Sequence, residues 1–161
     1  MSAVAVFTGQ NGVTGEVLFH ETAKGVIVHA TFPNLPLGDH GFHIHSAGDL
    51  RGEGCKGACD HYHKGSPSPS SSHGGPPSHA GPRHTGDLGN LTGPSCSKRY
   101  FLRSVRIQEL YGRSVIVHED PDDLGKGGFE DSLTTGHSGA RMACAIVGRV
   151  SCRKQTRKRV R

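Results

Sequence analysis

The first 45 residues of the chain alternate in the manner of β-strands. Ala3, Ala5 and Phe7 fall on one face of an extended segment, and Val4 and Val6 fall on the other, which predicts a β-strand. Turn signals at Gln10-Asn11-Gly12 and at Lys24-Gly25 separate it from further strands, as expected for short antiparallel connections. We predict an antiparallel meander of three strands near residues 3–7, 13–21 and 26–32, the third of which is stopped by Pro33, and a fourth short strand at 39–45.

Regular structure fades between Ser46 and Gly89, where turn-forming residues accumulate. Within Gly65–Pro82, 15 of 18 residues are Gly, Ser or Pro, a composition typical of a linker. Further strands are predicted near residues 98–107, 113–118 and 142–150, with a second long loop at 119–140. Short strands with two long loops predict an all-β protein, an antiparallel sandwich or flattened barrel of eight strands.

The amino-acid composition further restricts the class of protein to which the chain can belong. Gly (24) and Pro (9) are too frequent among 161 residues for a helix bundle, and a chain of this length forms one domain. The apolar runs are far too short to cross a bilayer and no secretory signal is visible, so we expect a cytoplasmic protein without membrane contact. Eight of the 12 histidines lie between Gly38 and Asn90, which indicates metal binding.

Basic residues are concentrated at the C-terminus. Six of the 19 Lys and Arg residues occur in the last nine positions, and the rest of the chain has 13 basic against 14 acidic side chains. A segment with this charge and one apolar residue, Val160, does not pack as a core element. We therefore expect a domain at 1–151 and a basic, disordered tail at 152–161, suited to nuclear entry or to contact with a polyanion.

The five cysteines are an odd number, so at least one thiol is unpaired within a monomer: Cys55, Cys59, Cys96, Cys144 and Cys152. In a reducing cytosol, free thiols or metal ligands are the expected state. The spacing Cys55-x3-Cys59 has no matching second pair, so it indicates a zinc ribbon only weakly.

Two histidines of a predicted strand form the first candidate metal group. His43 and His45 are two positions apart, so both imidazoles fall on the same face of the strand. His118 follows an apolar run at the end of another predicted strand, where a third imidazole can converge. Imidazole nitrogens without a thiolate suit copper or zinc. The alternative interpretation is that His43 and His45 form a surface pair that binds no metal.

A second candidate group lies in the first long loop. His61, His73 and His84 occur there, and Asp87 follows His84 by three residues on a tight Thr-Gly-Asp turn. Nitrogen ligands with one carboxylate suit tetrahedral zinc. Each histidine taken alone is better explained by exposure in a polar loop, and it is the accumulation of ligand types that favours a metal.

Five sequence blocks resemble the signatures of the copper/zinc superoxide dismutases, in that family's order and near its spacings over residues 2–150. The blocks are Gly41-Phe-His-Ile-His45, His73-Gly-Gly-Pro76, Arg83-His-Thr-Gly-Asp-Leu-Gly-Asn90, Val117-His-Glu-Asp-Pro-Asp-Asp-Leu-Gly-Lys-Gly-Gly128 and Thr135-Gly-His-Ser-Gly-Ala-Arg-Met-Ala-Cys144. The resemblance implies an eight-stranded Greek-key sandwich.

The resemblance also implies one copper, cycling between Cu(I) and Cu(II), and one Zn(II) per chain. The implied copper ligands are His43, His45, His61 and His118, and the implied zinc ligands are His61, His73, His84 and Asp87. His61 would bridge the two ions. Asp122 resembles the family's carboxylate that links one ligand of each metal.

The implied activity is the dismutation of superoxide to dioxygen and hydrogen peroxide. Arg141 matches the arginine that attracts and orients the anion beside copper, and His61 is the second implied catalytic residue. Lys126, Glu130 and Asp131 would shape the field around the channel.

Two further features follow from the same resemblance. Cys55 and Cys144 match the family's intrachain disulfide, which closes a loop worth roughly 4–5 kcal/mol on the chain-entropy model. The run 144–150 resembles the closing strand through which eukaryotic members form homodimers, the commonest soluble assembly.

Several positions depart from the family pattern. Thr134 stands where a second steering lysine is common, and Cys59 and Asp60 stand where Gly-Pro usually precedes the bridging histidine. Cys59 can also compete with Cys55 for Cys144. His63 and His79 are two further candidate metal ligands, each with less support from the sequence than the residues above.

The rival hypothesis is a non-catalytic copper/zinc-binding protein of the same fold, a decoy or a copper carrier. It is disfavoured because Arg141 and all seven implied metal positions are present, whereas an inactive relative is expected to have lost at least one of them.

Overall fold

Antiparallel β-strands make up most of the molecule in the computed structural model, which describes residues 1–65 and 72–151. The strands are β1 (Ser2–Thr8), β2 (Thr14–Thr22), β3 (Gly25–Asn34), β4 (Asp39–His45), β5 (Asp87–Thr92), β6 (Cys96–Arg103), β7 (Ser114–His118), β8 (Arg141–Ile146) and β9 (Gly148–Arg149). Helical segments are short: α1 (Ser132–Thr135) and the 3-10 turns Gln10–Gly12, Glu53–Ala58 and Ile107–Glu109. None of the helices in these ranges has the length and apolar character that a membrane span requires.

Two sheets face each other as a sandwich. One has the strand order β6-β3-β2-β1-β9 and the other the order β5-β4-β7-β8. The pairings β3 with β6 and β4 with β7 join strands that are distant in sequence, as a Greek-key arrangement requires. The all-β antiparallel prediction is confirmed. The described residues hold nine strands instead of eight, partly because the predicted final strand divides at Val147, between β8 in one sheet and β9 in the other.

The core lies between the sheets and follows the predicted alternation. Ala3, Ala5 and Phe7 of β1 are buried, as expected for the inward face of a strand. Phe32 of β3 meets Phe42 of β4 edge-on, with 5.8 Å between ring centroids, so the two sheets interlock through aromatic side chains.

The third and fifth predicted strands need correction. Pro33 does not end its strand: β3 continues to Asn34, which pairs with Thr14 across a register shift, and a bulge is where a residue without an N–H is tolerated. The strand predicted at 98–107 begins at Cys96 and ends at Arg103, because Ser104 turns the chain with a φ of 60°.

The predicted loop from Ser46 to Gly89 contains the start of a strand that the sequence did not reveal. β5 pairs with β4 from Asp87 onwards and contributes Leu88 and Leu91 to the core. Its ladder shifts register between Gly41 and His43, so β5 shows no period of two.

Strand β4 presents different side chains to the two sides of its sheet. Phe42 and Ile44 enter the core between the sheets, so His43 and His45 lie on the opposite side. That side is covered by the long loops, because Cys55 and Ala58 of the first loop pack on Ile116 of the neighbouring β7. The histidines are therefore buried beneath loops and outside the main core.

Candidate metal centre

Four imidazoles meet on the loop-covered side of the four-stranded sheet. His43 and His45 come from β4, His118 from the end of β7, and His61 from the first long loop, where it forms a β-bridge with His45. Each of the four offers one ring nitrogen, and these atoms all lie within 4.8 Å of one another. We name them the first ligand group.

The nitrogens of this group that face one another have no hydrogen-bond partner within residues 1–65 and 72–151. They are Nδ1 of His43 and Nε2 of His45, His61 and His118, all buried. Buried polar atoms are almost always paired in proteins, so four unpaired acceptors in one place fit a bound cation. Imidazole ligands without a thiolate suit copper or zinc.

The opposite ring nitrogens are anchored, which fixes the orientation of the rings. His45 Nδ1 donates to the carbonyl oxygen of Cys59 at 2.8 Å, and His118 Nδ1 donates to that of Gly139 at 3.3 Å. His43 Nε2 donates to Asp122 Oδ2 at 2.8 Å.

A second ligand group shares His61 with the first: His61, His73, His84 and Asp87. From Asp87 Oδ1, the distances to the Nδ1 atoms are 2.9 Å for His61, 3.1 Å for His73 and 3.4 Å for His84. Metal–ligand bonds of a tetrahedral zinc site place neighbouring ligand atoms about 3.3 Å apart. The second ligand group therefore has the chemistry and the size of a zinc site.

Asp122 connects the two ligand groups. Its Oδ2 accepts the hydrogen bond from His43, and its Oδ1 accepts one of 2.7 Å from Nε2 of His73. The backbone of Asp122 is held by Asn90, which accepts from its N–H at 2.6 Å and donates to its carbonyl oxygen at 2.9 Å. Sequence reasoning assigned no role to Asn90, since an amide that acts on the backbone leaves no distinctive signal.

Gly136 lets the second long loop close over this connection. Its φ is 69°, and a Cβ placed on it would collide with Asp122 Oδ1 and His73 Nε2. A glycine is needed here both for the backbone conformation and for the close approach.

Burial and neighbouring charges set the protonation of the ligands. Burial lowers the pKa of His43 and His45, and burial together with His61 lowers that of His118 to about 3. These imidazoles are thus neutral near neutral pH, the form that binds metals. For His73 burial acts in the same direction, but hydrogen bonds to Asp122 and Asp87 prevail and raise its pKa to about 9.

Arg141 lies beside the first ligand group. It pairs with His118 across β7 and β8, so the two side chains are neighbours. Its Nη1 donates to the carbonyl oxygen of Cys55 at 2.7 Å, and its Nη2 donates to that of Cys59 at 2.6 Å. Arg141 lines a cleft of about 550 Å³ together with His45, Asp60, His61, His63, His84, His118, Asp131, Leu133, Thr134, Thr135 and Gly139.

Sequence comparison agrees with this geometry. The family model described as copper/zinc superoxide dismutase matches residues 13–147. The chain belongs to the copper/zinc superoxide dismutase family. The enzyme named superoxide dismutase [Cu-Zn] of Paramecium bursaria Chlorella virus 1 is 39% identical over 155 residues, which cover 92% of this chain and 78% of that protein. Family membership makes the chain an oxidoreductase with one copper and one zinc.

The disulfide expected of a superoxide dismutase family member is present. Cys55 is bonded to Cys144, at a sequence separation of 89 residues. Cys59 and Cys96 are free thiols in the described part of the chain, so Cys59 does not replace Cys55 in the bond. Cys152 lies outside the described residues.

The other residues that we expected near the channel from the sequence do not all lie at the cleft that holds Arg141. Asp131 and Thr134 line the cleft, whereas Lys126 lines a separate cavity behind His73. Glu130 lies near Asp131 on another shallow surface.

The two alternative ligands are outside both ligand groups. His63 lines the cleft with its ring centroid 6.1 Å from that of His84. His79 is exposed and lies beside Gly75.

Proposed function

We propose that this chain dismutates superoxide to dioxygen and hydrogen peroxide. The supporting observation is a set of four buried imidazole nitrogens without a hydrogen-bond partner among the described residues, three of which belong to histidines that line the cleft holding Arg141 (His45, His61 and His118). We assign copper to His43, His45, His61 and His118, and zinc to His61, His73, His84 and Asp87. Bound copper supplies single-electron transfer, which zinc does not.

Arg141 attracts and orients the substrate. Two of its donors are used by the carbonyl oxygens of Cys55 and Cys59, and these bonds fix the guanidinium at the cleft. Its positive charge at the end of a partly enclosed cleft raises the local concentration of a small anion.

His61 connects the two ligand groups. Its Nδ1 belongs to the second ligand group and its Nε2 to the first. With both nitrogens bound to metal His61 carries no proton, whereas Nε2 would hold one whenever it does not bind copper. In that state His61 would supply one of the two protons that the formation of hydrogen peroxide consumes, and burial, which lowers the pKa of His61, favours release of that proton.

The second ligand group orders the first long loop. His61, His73 and His84 lie in it, and Asp87 lies at the start of β5. Much of this loop is Gly, Ser and Pro, which supply little apolar area for packing. A zinc ion on these four side chains therefore adds a cross-link to a segment whose own composition provides little apolar packing.

The direct test is metal analysis and a dismutation assay on the same sample. We expect one copper and one zinc per chain, together with turnover that disappears when copper is removed and returns when it is restored. A fully copper-loaded protein without turnover would instead identify a decoy or a copper carrier.

We also propose that the chain forms a homodimer through its closing segment. Val6, Ile146 and Val150 are each 43–53% exposed, and β9 pairs with β1 at the edge of the five-stranded sheet. Apolar side chains at such an edge suit a two-fold contact. Light scattering at micromolar concentration should give the dimer mass, and a monomer mass would refute the proposal.

The domain boundary and the cell compartment remain proposals as well. We assign residues 1–151 to the metal-binding domain and 152–161 to a basic tail, which lies outside the described residues. The charge of the tail supports contact with a polyanion or nuclear entry from a cytoplasmic location.

A further inference from the structure

The cleft proposed for an anionic substrate contains more carboxylates than permanent cations. Among the described residues that line it, Arg141 is the one Lys or Arg side chain, whereas Asp60 and Asp131 are both present. With neutral histidines and without the metal ions, these lining side chains therefore carry one more negative than positive charge. A carboxylate near the anion-binding group reduces its attraction for anions, so the role of each aspartate needs to be considered.

The two carboxylates have different surroundings. Asp131 accepts hydrogen bonds from His137 Nδ1 at 2.6 Å and from Thr135 Oγ1 at 3.1 Å, so its charge is partly offset within its own loop. The side chain of Asp60 forms no ion pair with residues 1–65 or 72–151. Among the described residues Asp60 is therefore the carboxylate of the cleft whose charge no ion pair offsets.

The backbone places Asp60 next to the groups that handle the anion. It follows Cys59, whose carbonyl oxygen binds Nη2 of Arg141, and it precedes His61. Its own carbonyl oxygen accepts from the N–H of Ser46 at 2.9 Å, which anchors this short segment to the end of β4.

Arg141 responds to this carboxylate. Burial lowers the pKa of the Arg141 guanidinium, and the charge of Asp60 is the strongest influence in the opposite direction. The two charges therefore interact within the cleft.

We infer that Asp60 is a specificity-determining residue that weakens the binding of dianions more than that of monoanions at Arg141. The inference rests on the proposed function, since it takes Arg141 as the anion-binding group. Coulomb energy is proportional to the charge of the ligand. If the carboxylate lowers the affinity for a monoanion by a given factor, it lowers the affinity for a dianion by the square of that factor.

The consequence is a filter based on charge. Superoxide is a small monoanion and loses little, whereas oxyanions with two charges, such as sulfate or phosphate, are kept away from Arg141. Asp60 thus reduces occupation of the cleft by competitors at a modest cost in substrate attraction.

The test measures anion binding with Asp60→Asn, which keeps the shape and removes the charge. Copper- and zinc-loaded protein is titrated with azide, a monoanion, by the absorbance of copper, and sulfate is measured by its competition with azide at constant ionic strength. We expect the variant to bind azide about threefold more tightly and sulfate about tenfold more tightly.

A matched control and a second variant complete the test. Glu16→Gln removes one negative charge from the exposed side of β2, on the five-stranded sheet, and should change the two affinities equally and slightly. Asp60→Ser, with metal content verified, should reproduce the unequal effect. Equal tightening of azide and sulfate in the Asp60 variants, or no tightening, would overturn the inference.

This experiment distinguishes a failure of the proposed anion filter from a failure of the proposed dismutase activity. A protein that takes up copper and shows the unequal anion effect but does not dismutate superoxide refutes the proposed function and leaves the filter standing. An active enzyme with equal effects refutes only the filter.

Discussion

The carbonyl oxygen of Cys55 accepts a hydrogen bond of 2.7 Å from the guanidinium of Arg141. The sulfur of Cys55 is bonded to Cys144, which lies on the same strand, β8, as Arg141. The disulfide therefore holds the first long loop against the strand that carries the proposed anion-binding group, so it contributes to the site as well as to stability.

Loss of this disulfide should lower both the stability of the protein and its dismutation rate. Cys144→Ser is expected to lower the free energy of unfolding by roughly 4–5 kcal/mol, since the bond closes a loop of about 90 residues, and to lower the dismutation rate because the acceptor of Arg141 becomes mobile. Denaturant unfolding and a dismutation assay measure the two effects. Cys96→Ser, which removes a free thiol, is the control, and equal behaviour of the two variants would contradict this prediction.

Arg141→Ala should lower the dismutation rate by about 10- to 100-fold with both metals retained, because electrostatic focusing changes association rates by about 10- to 1000-fold. Metal analysis and the salt dependence of the rate measure this. Arg99→Ala, on the exposed side of β6, removes the same charge away from the cleft. A rate and salt dependence of Arg141→Ala that match those of Arg99→Ala would exclude the assigned role.

His118→Ala should remove copper and activity but leave zinc, because His118 belongs to the first ligand group alone. Metal analysis of the purified variant is the measurement. His79→Ala changes an exposed histidine outside both ligand groups and should retain both metals. A zinc loss in His118→Ala as large as its copper loss is incompatible with the two-site assignment.

The metal-free protein should be most stable at roughly pH 6.5–7. In the folded state burial and His61 lower the pKa of His118 from 6.5 to about 3, so its contribution to stability is lost as the pH falls below 6.5. The pKa of His73 is raised to about 9, so its contribution is complete below 6.5 and is lost as the pH rises through 9. Thermal unfolding across this range measures both limbs.

Two variants separate these contributions. His118→Gln should make the acid limb of the stability profile less steep, because His43 and His45, whose pKa values burial also lowers, still contribute to it. His73→Gln should flatten the alkaline limb. A profile that neither variant alters would show that other groups control the pH dependence.

Truncation after Ser151 should leave specific activity and metal content unchanged, because β9 ends at Arg149 and the composition beyond Ser151, with six positive charges, is not that of a core element. Binding to heparin or DNA should fall. Specific activity, metal content and binding to heparin or DNA are each measured on matched full-length and truncated protein. Loss of copper or a changed oligomeric state on truncation would assign the tail a structural role.

Much of the sheet architecture was predictable because alternating side chains report directly on a two-layer fold. Ala3, Ala5 and Phe7 are buried as their spacing indicates. β5 was missed because Leu88 and Leu91 are three positions apart, across Gly89 with a φ of 77°, so a distorted ladder hides the period of two.

The ligand residues were predictable for a different reason. Side chains such as His61 and Asp87 carry their chemistry in their identity, and the resemblance placed them in order. The supports of Arg141 are backbone carbonyl oxygens of Cys55 and Cys59, which every residue type possesses. The sequence therefore indicates positioning groups that are side chains, such as Asp122, and omits those that are backbone atoms.

His61 belongs to both ligand groups, and Asp122 binds one further histidine of each. Occupation of the two groups is therefore thermodynamically linked. By the reciprocity of coupled equilibria, whatever factor zinc contributes to the affinity for copper, copper contributes to the affinity for zinc. On the proposed ligand assignment the chain acts as a single two-ion receptor, and a substitution at His61 or Asp122 is expected to change both affinities together.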